Sequence, residues 1–363
     1  MTMAENAPDP TVLVTGGAGF IGCAISQLAS TTAGRWVAVD NLHPQVHPAR
    51  HRPEALNDRV ELMVADVTDT AIWDDLLADV RPDIIIHLAA ETGTAQSLHE
   101  SSRHAEVNVL GTTRMLDALG RARQVPDRII LSGSRAVYGE GLWRRADGMT
   151  FQPGQRSHAQ LEAKQWDFPD ATPLPSSALT TMPVPTSIYG ATKLAQEHLI
   201  SAWASSHDCY FTVLRLQNVY GPGQSLTNPY TGIVSLFSQL AEEKRSIPVY
   251  EDGQIVRDFV FIADVVSAFA AAMVGGHGIG PFDIGSGTPT SLLSLAREIA
   301  EYHGAPEPTI TGAYRDGDVR YAAAIIEHST EVLGWAPRWQ LQDGVAALQS
   351  WIAGQPLRIE SLG

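Results

Sequence analysis

Residues 11–22 read Thr-Val-Leu-Val-Thr-Gly-Gly-Ala-Gly-Phe-Ile-Gly, an apolar run that passes directly into a glycine-rich turn. The run predicts a buried strand, and the residues after the turn predict an apolar helix. Glycines at 17, 19 and 22 permit a tight turn, close backbone approach to a pyrophosphate and close helix–strand packing. The pyrophosphate would then lie at the N terminus of the helix. The plainer alternative is a tight strand–helix turn that binds nothing.

An acidic residue at the end of the second predicted strand favours the dinucleotide. Asp40 stands at the distance expected for a carboxylate that bonds the adenosine ribose diol. Such a carboxylate repels a 2′-phosphate, so NAD is favoured over NADP. Arg50 and Arg52 in the following loop leave NADP open as the alternative. Asp66 and Val67, after the third strand, are predicted to contact adenine, unless Asp66 only caps its loop.

Short apolar runs alternate with helical spacing through the first half of the chain. Helical spacing is found in segments such as Ala71–Val80 and His104–Leu119. This alternation predicts an α/β fold with a Rossmann-type, doubly wound parallel sheet, whose ligands lie at the carboxyl ends of the strands. The predicted strands are Thr11–Thr15, Arg35–Val39, Val60–Val64, Asp83–His87 and Arg128–Ser132.

The alternation stops between Gly139 and Pro185, where prolines, serines and threonines predict a long irregular insertion. Such loops are often functional or mobile, so a substrate-facing flap and a passive surface excursion are both open. Helical spacing resumes at Tyr189–Ser206, and a strand follows at Tyr210–Leu216. We expect an NAD-binding Rossmann domain of residues 10–216 plus about 255–290, with the insertion at 140–186. A smaller, interleaved substrate-binding domain takes about 217–254 plus 291–363.

Composition excludes several classes of protein. The 363 residues are 44% hydrophobic and carry a formal charge of −15, which argues against disorder and against a nucleic-acid-binding surface. No apolar run approaches the ~20 residues that span a bilayer, and no export signal is visible. Cys23 and Cys209 are the only cysteines, which fits a reducing cytoplasm. His43, His47 and His51 are spaced by four but lie among prolines without matching carboxylates, so no metal site is predicted.

The chemistry is indicated by Tyr189-Gly-Ala-Thr-Lys193, which places a phenol one helical turn from an ammonium group. A tyrosine with a pKa of about 10 is a poor base at neutral pH. The lysine charge and a cationic nicotinamide would favour the phenolate, which could take a proton from a sugar hydroxyl while the ring takes the hydride. Ser134, just beyond the fifth strand, could bond the substrate oxygen. Considered one at a time, Ser134 could be an ordinary turn residue, and Tyr189 and Lys193 could be ordinary residues on a helix surface.

Together with the glycine turn, this Ser–Tyr–Lys set resembles the extended short-chain dehydrogenase/reductase family, in its nucleotide-sugar epimerase branch. The resemblance runs over nearly the whole chain, through Gly16–Gly22, Asp40, Asp66-Val67, Leu88-Ala-Ala90, Asn108, Ser134, Tyr189, Lys193 and Arg257-Asp-Phe-Val-Phe261. It implies that Tyr189 is the general acid/base, that Lys193 binds the nicotinamide ribose and lowers the tyrosine pKa, and that Ser134 aligns the reacting oxygen. The predicted NAD-binding residues are Gly16, Gly19, Phe20, Ile21, Gly22, Asp40, Asn41, Asp66, Val67, Leu88, Ala89, Ala90, Asn108, Tyr189 and Lys193.

The family's usual substrates are nucleotide-diphosphate sugars, which the resemblance therefore implies here. Arg257 and Arg315 suit a diphosphate through charge-assisted hydrogen bonds, although each could be a structural ion-pair residue. Homodimerisation, through the helices around His104–Leu119 and Tyr189–Ser206, is implied by the same analogy. The predicted substrate-binding residues are Thr94, Gln96, Ser134, Asn218, Arg257 and Arg315.

The two residues that directly follow Ser134 distinguish branches of the family. Sugar 4,6-dehydratases normally carry Asp-Glu there, whereas this chain has Arg135 and Ala136, neither of which can act as a carboxylate acid or base. This departure favours an epimerase that oxidises C4 transiently and returns the hydride to the other face. A ketosugar reductase or dehydrogenase of the same fold, or a non-catalytic NAD-binding protein, is the alternative.

A narrower resemblance is to bacterial dTDP-L-rhamnose 4-epimerase-like proteins. It is carried by Leu88–Ser97, Ser134–Glu140, Arg215–Ser225, Asn228–Gly232 and the long insertion with Pro153–Ser157.

Overall fold

The computed structural model describes residues 9–226, 232–274 and 280–354. Residues 228–231 of the Asn228–Gly232 segment, and the end of the predicted substrate-binding domain, lie outside these ranges. In chain order the strands are β1 (Val12–Thr15), β2 (Trp36–Asp40), β3 (Val60–Val64), β4 (Ile84–His87), β5 (Arg128–Ser134), β6 (Leu142–Arg145), β7 (Thr150–Phe151), β8 (Ala171–Leu174), β9 (Tyr210–Leu216), β10 (Asn218–Tyr220), β11 (Pro248–Val249), β12 (Val256–Phe261), β13 (Gly280–Ile284), β14 (Pro289–Ser291), β15 (Thr309–Ile310) and β16 (Tyr321–Ala322).

The helices cover both faces of the main sheet and the C-terminal part. A π-helical segment, Ala105–Gly111, joins two of them, and 3₁₀ turns occupy Gln27–Ser30 and Arg135–Tyr138. None of the helices in the described ranges has the length and apolar character needed to cross a membrane. The α-helices are α1 (Phe20–Ser26), α2 (Thr70–Asp79), α3 (Thr94–Ser97), α4 (Ser101–His104), α5 (Thr112–Ala122), α6 (His158–Glu162), α7 (Ile188–Ser205), α8 (Ile233–Glu242), α9 (Ile262–Val274), α10 (Leu292–His303), α11 (Glu327–Leu333) and α12 (Leu341–Ala353).

The central sheet confirms the predicted fold class. Its seven strands are parallel and lie in the order β13-β9-β5-β4-β1-β2-β3. Strand order reverses between β1 and β4, so the loops after these two strands diverge and leave a crevice at their carboxyl ends. The glycine turn follows β1 directly and therefore lies at this crevice.

Both faces of the sheet are buried, which explains why its strands are apolar throughout. Val12, Ile86 and Ile130 face one core, and Ile85 and Ile129, their neighbours in sequence, face the other. The first core continues without a break into helices α8, α10 and α12 of the C-terminal part. The two parts that the sequence predicts as separate domains thus share one core, and the division between them stays a prediction.

The insertion is more regular than the sequence predicted. Strands β6, β7 and β8 form a small antiparallel sheet, and α6 lies between the last two of them. These strands have two to four residues each, too few to produce a recognisable alternation. The prediction of an irregular segment at 140–186 was therefore wrong for this part of the insertion.

A buried group of charges, here called the Arg156 cluster (Glu140, Arg156, Glu251 and Arg320), fastens the insertion to the C-terminal part. The Arg156 side chain is 1% exposed and pairs with Glu140 at 3.2 Å and with Glu251 at 2.9 Å. Arg320 pairs with Glu251 at 3.0 Å and donates its backbone N–H to Glu140 at 2.9 Å. The insertion is consequently held in place by ionic bonds shielded from water.

We expect the substitution Arg156→Met to destabilise the protein strongly. It leaves two buried carboxylates without the cation they share, a change that typically costs about 3–5 kcal/mol. Denaturant unfolding followed by circular dichroism measures the effect. The matched control is Arg144→Met, on an exposed position of β6. Equal unfolding midpoints for the two variants would show that the Arg156 cluster does not hold the insertion.

Candidate active site

A cavity of about 760 Å³ lies at the carboxyl edge of the central sheet. The glycine turn, the ends of β2 and β4 and the N-terminal half of α7 all border it. The structure thus brings most of the predicted NAD-binding residues together with the predicted Ser–Tyr–Lys set. Predicted residues in the cavity wall are Gly16, Gly19, Phe20, Ile21, Gly22, Asp40, Asn41, Asp66, Val67, Leu88, Ala89, Ala90, Ser134, Tyr189 and Lys193.

The turn after β1 fits a dinucleotide. Gly16 has a φ of +67°, and a Cβ atom at this position would lie 2.7 Å from the backbone nitrogen of Ala89. The absence of a side chain thus keeps two backbone segments close together beside the cavity. Asp40 accepts hydrogen bonds from the backbone N–H of Ala18 at 3.0 Å and of Leu42 at 2.9 Å. These bonds fix the carboxylate at the edge of the cavity, where a ribose diol could be bound.

Asp66 caps its loop, which is the alternative role that the sequence allowed for this residue. Its Oδ1 accepts hydrogen bonds from the backbone N–H of Thr68 at 2.8 Å and from the Thr68 hydroxyl at 2.7 Å. Its Oδ2 accepts from Asn41 at 2.9 Å. Burial raises the pKa of Asp66, but these bonds outweigh burial and hold the pKa below its usual value. Asp66 and Asn41 also line the cavity, so the predicted contact with adenine stays a prediction.

Asn108 supports the cavity from behind. Its side chain exchanges hydrogen bonds with the Glu91 backbone, at 2.7 Å to the N–H and 3.0 Å to the carbonyl. It also donates to the Thr192 hydroxyl at 2.9 Å. Asn108 therefore ties the loop after β4 to helix α7, although it is not part of the cavity wall.

Ser134 and Tyr189 meet where α7 begins. Ser187 caps the helix by accepting a hydrogen bond from the backbone N–H of Gly190. A Cβ atom at Gly190 would lie 2.5 Å from the Ala136 carbonyl oxygen, so glycine is what allows the helix to touch the turn after β5. Tyr189, at the start of the helix, and Ser134, at the end of β5, both line the cavity beside this contact. Burial raises the pKa of Tyr189, while the nearby Ser134 hydroxyl and the charge of Arg135 act in the opposite direction.

Lys193 belongs to a buried hydrogen-bond network that the sequence did not predict. Its ammonium group donates to Gln196 Oε1 at 2.6 Å. The amide of Gln196 reaches Thr112 at 3.0 Å and His87 at 3.2 Å, and His87 bonds Thr15 at 2.7 Å. Burial lowers the pKa of Lys193 to about 8 and that of His87 to about 3. The network orients the lysine and keeps the histidine neutral, and no sequence motif indicated Gln196.

The predicted substrate-binding residues outside the Ser–Tyr–Lys set are more scattered. Gln96 is buried and exchanges hydrogen bonds with Gln45 in the loop after β2. Thr94 is the first residue of α3, and its backbone carbonyl accepts a hydrogen bond from the Ser97 hydroxyl. None of the described atoms of Thr94, Gln96, Asn218, Arg257 or Arg315 belongs to the wall of the 760 Å³ cavity.

The two arginines differ in what they already contact. Arg257 donates to the carbonyls of Val256 and Val319 at 2.8 and 2.9 Å and pairs with Asp318 at 3.0 Å. Arg315 is exposed and lies over the Tyr250 ring, 5.1 Å from its centre. Arg257 is thus an ion-pair residue in this arrangement, whereas Arg315 is open to an anionic ligand.

The turn after Ser134 holds a cation where dehydration would need a carboxylate. Arg135 donates from Nε to Asn218 Oδ1 at 3.2 Å, and Ala136 is buried. The carboxylate that follows in sequence, Glu140, is engaged by Arg156 and by the Arg320 backbone. The turn therefore places no carboxylic acid beside Tyr189.

Comparison with known proteins agrees with this geometry. The model of the NAD dependent epimerase/dehydratase family matches residues 12–285. The chain is 59% identical over 343 residues to dTDP-L-rhamnose 4-epimerase of Burkholderia thailandensis, with 94% of each chain covered. The structure of UDP-glucose 4-epimerase from Thermotoga maritima with UDP-glucose has a TM-score of 0.79 at 27% identity, covering 95% of this chain and 99% of that one. The Thermus thermophilus UDP-glucose 4-epimerase complex with NAD has a TM-score of 0.74 at 25% identity, with the same coverage.

We expect Asp40→Asn to weaken NAD binding and to reduce discrimination against NADP. The variant keeps the shape of the side chain but removes the charge that repels a 2′-phosphate. Loss of a hydrogen bond to a charged group costs about 1.5–3 kcal/mol, or roughly 10- to 150-fold in affinity. Calorimetric titration with both dinucleotides measures this, with Asp75→Asn on the exposed face of α2 as control. Unchanged affinities for both would remove Asp40 from the site.

Proposed function

The chain belongs to the NAD dependent epimerase/dehydratase family, and we propose that it inverts C4 of a nucleotide-diphosphate sugar, with dTDP-L-rhamnose as the candidate substrate. The observation that carries the proposal is that Ser134, Tyr189 and Lys193 all line the cavity, with Lys193 one turn after Tyr189 on α7. The high identity to the Burkholderia enzyme supports the choice of sugar.

The cofactor is NAD, which fits the cavity beside the glycine turn. We propose that Asp40 binds the adenosine ribose and that backbone N–H groups at the start of α1 face the pyrophosphate. When bound, NAD supplies a hydride acceptor that returns the hydride to the same carbon, so no external reductant is consumed. Lys193 is proposed to hold the nicotinamide ribose.

The proton is handled by Tyr189. In the oxidative half, its phenolate takes the proton of the C4 hydroxyl as the C4–H bond is broken, which gives a 4-keto sugar and a neutral phenol. Ser134 holds the C4 oxygen by a hydrogen bond during this step. After the sugar has turned, Tyr189 returns the proton to the same oxygen on the inverted carbon. Protons and electrons balance over the cycle.

The sugar has to turn while its nucleotide stays bound. We propose that Arg315 and Arg257, with Asn218, anchor the diphosphate, because guanidinium groups bind phosphate oxygens through paired, charge-assisted hydrogen bonds. The open Arg315 would bind directly, whereas Arg257 would exchange one of its present partners for the ligand. Thr94 and Gln96 are proposed as polar groups of the sugar pocket.

Epimerisation is favoured over dehydration by the Arg135–Tyr138 turn. Dehydration of a sugar requires an acid to protonate the leaving hydroxyl and a base to remove the adjacent C–H proton. Arg135 and Ala136 supply neither, and Glu140 is held in the Arg156 cluster. A reversible oxidation needs only the tyrosine and the cofactor.

We expect Tyr189→Phe to lower turnover by about 10²- to 10⁴-fold, the usual contribution of a general acid/base, while NAD content stays unchanged. NMR of reaction mixtures with dTDP-L-rhamnose and other nucleotide sugars measures inversion and identifies the carbon. Tyr302→Phe, an exposed position on α10, is the control. Stoichiometric NADH accumulation without an epimer would instead indicate a dehydrogenase.

We further propose a cytoplasmic homodimer that acts in carbohydrate biosynthesis. Cys23 and Cys209 are unpaired, buried thiols, which suits a reducing compartment. Leu110, within the predicted dimer segment His104–Leu119, is 41% exposed, which leaves an apolar side chain available for such a contact.

Light scattering at micromolar concentration should therefore give twice the mass of one chain. We expect Leu110→Asp to shift the protein to monomer, because it places a charge in an apolar contact. Val274→Asp, which is 87% exposed at the end of α9, should not. A monomeric wild-type protein would contradict the dimer.

A further inference from the structure

The Gln217 side chain holds an unpaired polar atom beside the active-site cavity. The residue is 5% exposed, and its Oε1 atom is buried without a hydrogen-bond partner. Of the buried side-chain atoms that lack a partner in the described ranges, this is the one whose residue lines the cavity. Because buried acceptors are almost always hydrogen-bonded and an unpaired one destabilises the folded protein, the atom calls for a donor from outside the chain.

The backbone around Gln217 fixes its place at the carboxyl edge of the sheet. The residue directly follows β9, whose last residue, Leu216, is paired with Ser134 at the end of β5. Its backbone N–H donates to the Ile284 carbonyl at 2.9 Å. A Cβ atom at Gly285 would lie 2.8 Å from Gln217 Cγ, so the glycine leaves room for the side chain. Gln217 therefore shares the cavity wall with Ser134, one strand away.

This end of the cavity lies on the opposite side of the glycine turn from Asp40. The strands run in the order β9-β5-β4-β1-β2, with the turn after β1 and Asp40 at the end of β2. A dinucleotide whose adenosine ribose is at Asp40 and whose pyrophosphate is at the turn extends its nicotinamide half toward β5 and β9. The nicotinamide half thus reaches the part of the wall that contains Gln217.

Nicotinamide carries a primary carboxamide, the same group as the glutamine side chain. Two primary amides complement each other, because each has N–H donors and a carbonyl acceptor. Since no hydrogen bond holds Oε1 of Gln217 in place, rotation of its amide toward such a donor breaks no bond at that atom. The unpaired acceptor and the cofactor's donor therefore match in chemistry.

Sugar hydroxyls are the other donors that a bound ligand would bring to this end of the cavity. The predicted substrate-binding residues apart from Ser134 lie outside the cavity wall, so the wall around Gln217 belongs mainly to the cofactor. The C4 oxygen of the sugar is assigned to Ser134 and Tyr189 in the proposed function. These observations favour the nicotinamide carboxamide over the sugar as the partner of Gln217.

We propose that Gln217 is a cofactor-binding residue, which accepts a hydrogen bond from the nicotinamide carboxamide and so fixes the rotation of the ring about its bond to the ribose. In the proposed epimerisation the sugar turns, and the hydride leaves and returns through one face of the ring. Gln217 would keep that face toward the sugar in both halves of the reaction. The inference rests on the cofactor site of the proposed function, but the binding that it describes needs no sugar.

The test compares NAD with its 3-acetylpyridine analogue, in which a methyl group replaces the amide nitrogen and removes the donor. The NAD-loaded, full-length protein is equilibrated with mixtures of the two nucleotides, and the bound ratio is measured by chromatography. We expect the preference for NAD over the analogue to fall by about 3- to 10-fold in Gln217→Met, the usual effect of one hydrogen bond. Gln342→Met, exposed on α12, is the matched control and should keep the wild-type ratio.

The ratio separates a contact with the carboxamide from a merely structural role. A structural role would weaken the binding of both nucleotides alike, so an equal ratio in wild type and Gln217→Met would overturn the proposal. A wild-type protein that binds the two nucleotides equally well would also overturn it, and that comparison needs no variant. Thermal unfolding shows whether Gln217→Met is folded, and Gln217→Leu gives a second reading if it is not.

Sugar kinetics distinguishes a different role of Gln217 from a failure of the proposed function. If the nucleotide ratio is unchanged while the KM for the nucleotide sugar rises in Gln217→Met, the side chain contacts the sugar and the assignment to the carboxamide is wrong. Absence of turnover in wild type would contradict the proposed epimerase. The nucleotide ratios, measured without sugar, would still decide the role of Gln217.

Discussion

The site depends on one close approach, between the first turn of α7 and the turn that follows β5. Gly190 makes it possible, because any side chain there would collide with the Ala136 carbonyl oxygen. The approach brings Tyr189 to Ser134 and, one helical turn later, sets Lys193 above the sheet beside the cavity. Asn108 adds a bond to Thr192 that holds the same helix from the other side. The chemistry of this chain is therefore a consequence of how tightly one helix can pack on one turn.

Burial disfavours the charged forms of three ionisable groups around this contact, Tyr189, Lys193 and His87. It raises the pKa of Tyr189 and lowers the pKa values of Lys193 and His87, the latter two to about 8 and about 3. A phenolate in such surroundings requires positive charge nearby, and that requirement explains why a tyrosine base is found together with cationic groups. Since a low-dielectric site also strengthens each remaining interaction, few groups are needed for the reaction.

Local patterns in the sequence predicted the strands of the central sheet well. Contacts between residues distant in sequence could not be predicted in this way. Strand β3 has the predicted bounds and β1 begins one residue later than predicted, because apolar runs and glycine turns depend on neighbouring residues. The small sheet of the insertion was missed because its strands are too short to show a period. The Arg156 cluster was missed because its members come from four separate segments of the chain. The residues that line the cofactor cavity could be predicted from motif spacing. The role of Gln196 could not, because its contact with Thr112 joins side chains distant in sequence.

The Arg156 cluster also bears on where motion can occur. Arg156 is bonded to the Asp318 carbonyl, and Asp318 pairs with Arg257, so the insertion and the proposed diphosphate anchor form one framework. Swinging the insertion away would expose several charges at once and break all of their bonds, so the insertion is expected to stay in place during the reaction. The proposed turning of the sugar would then have to occur without movement of the insertion, and selection among sugars would depend on the space that these fixed parts leave.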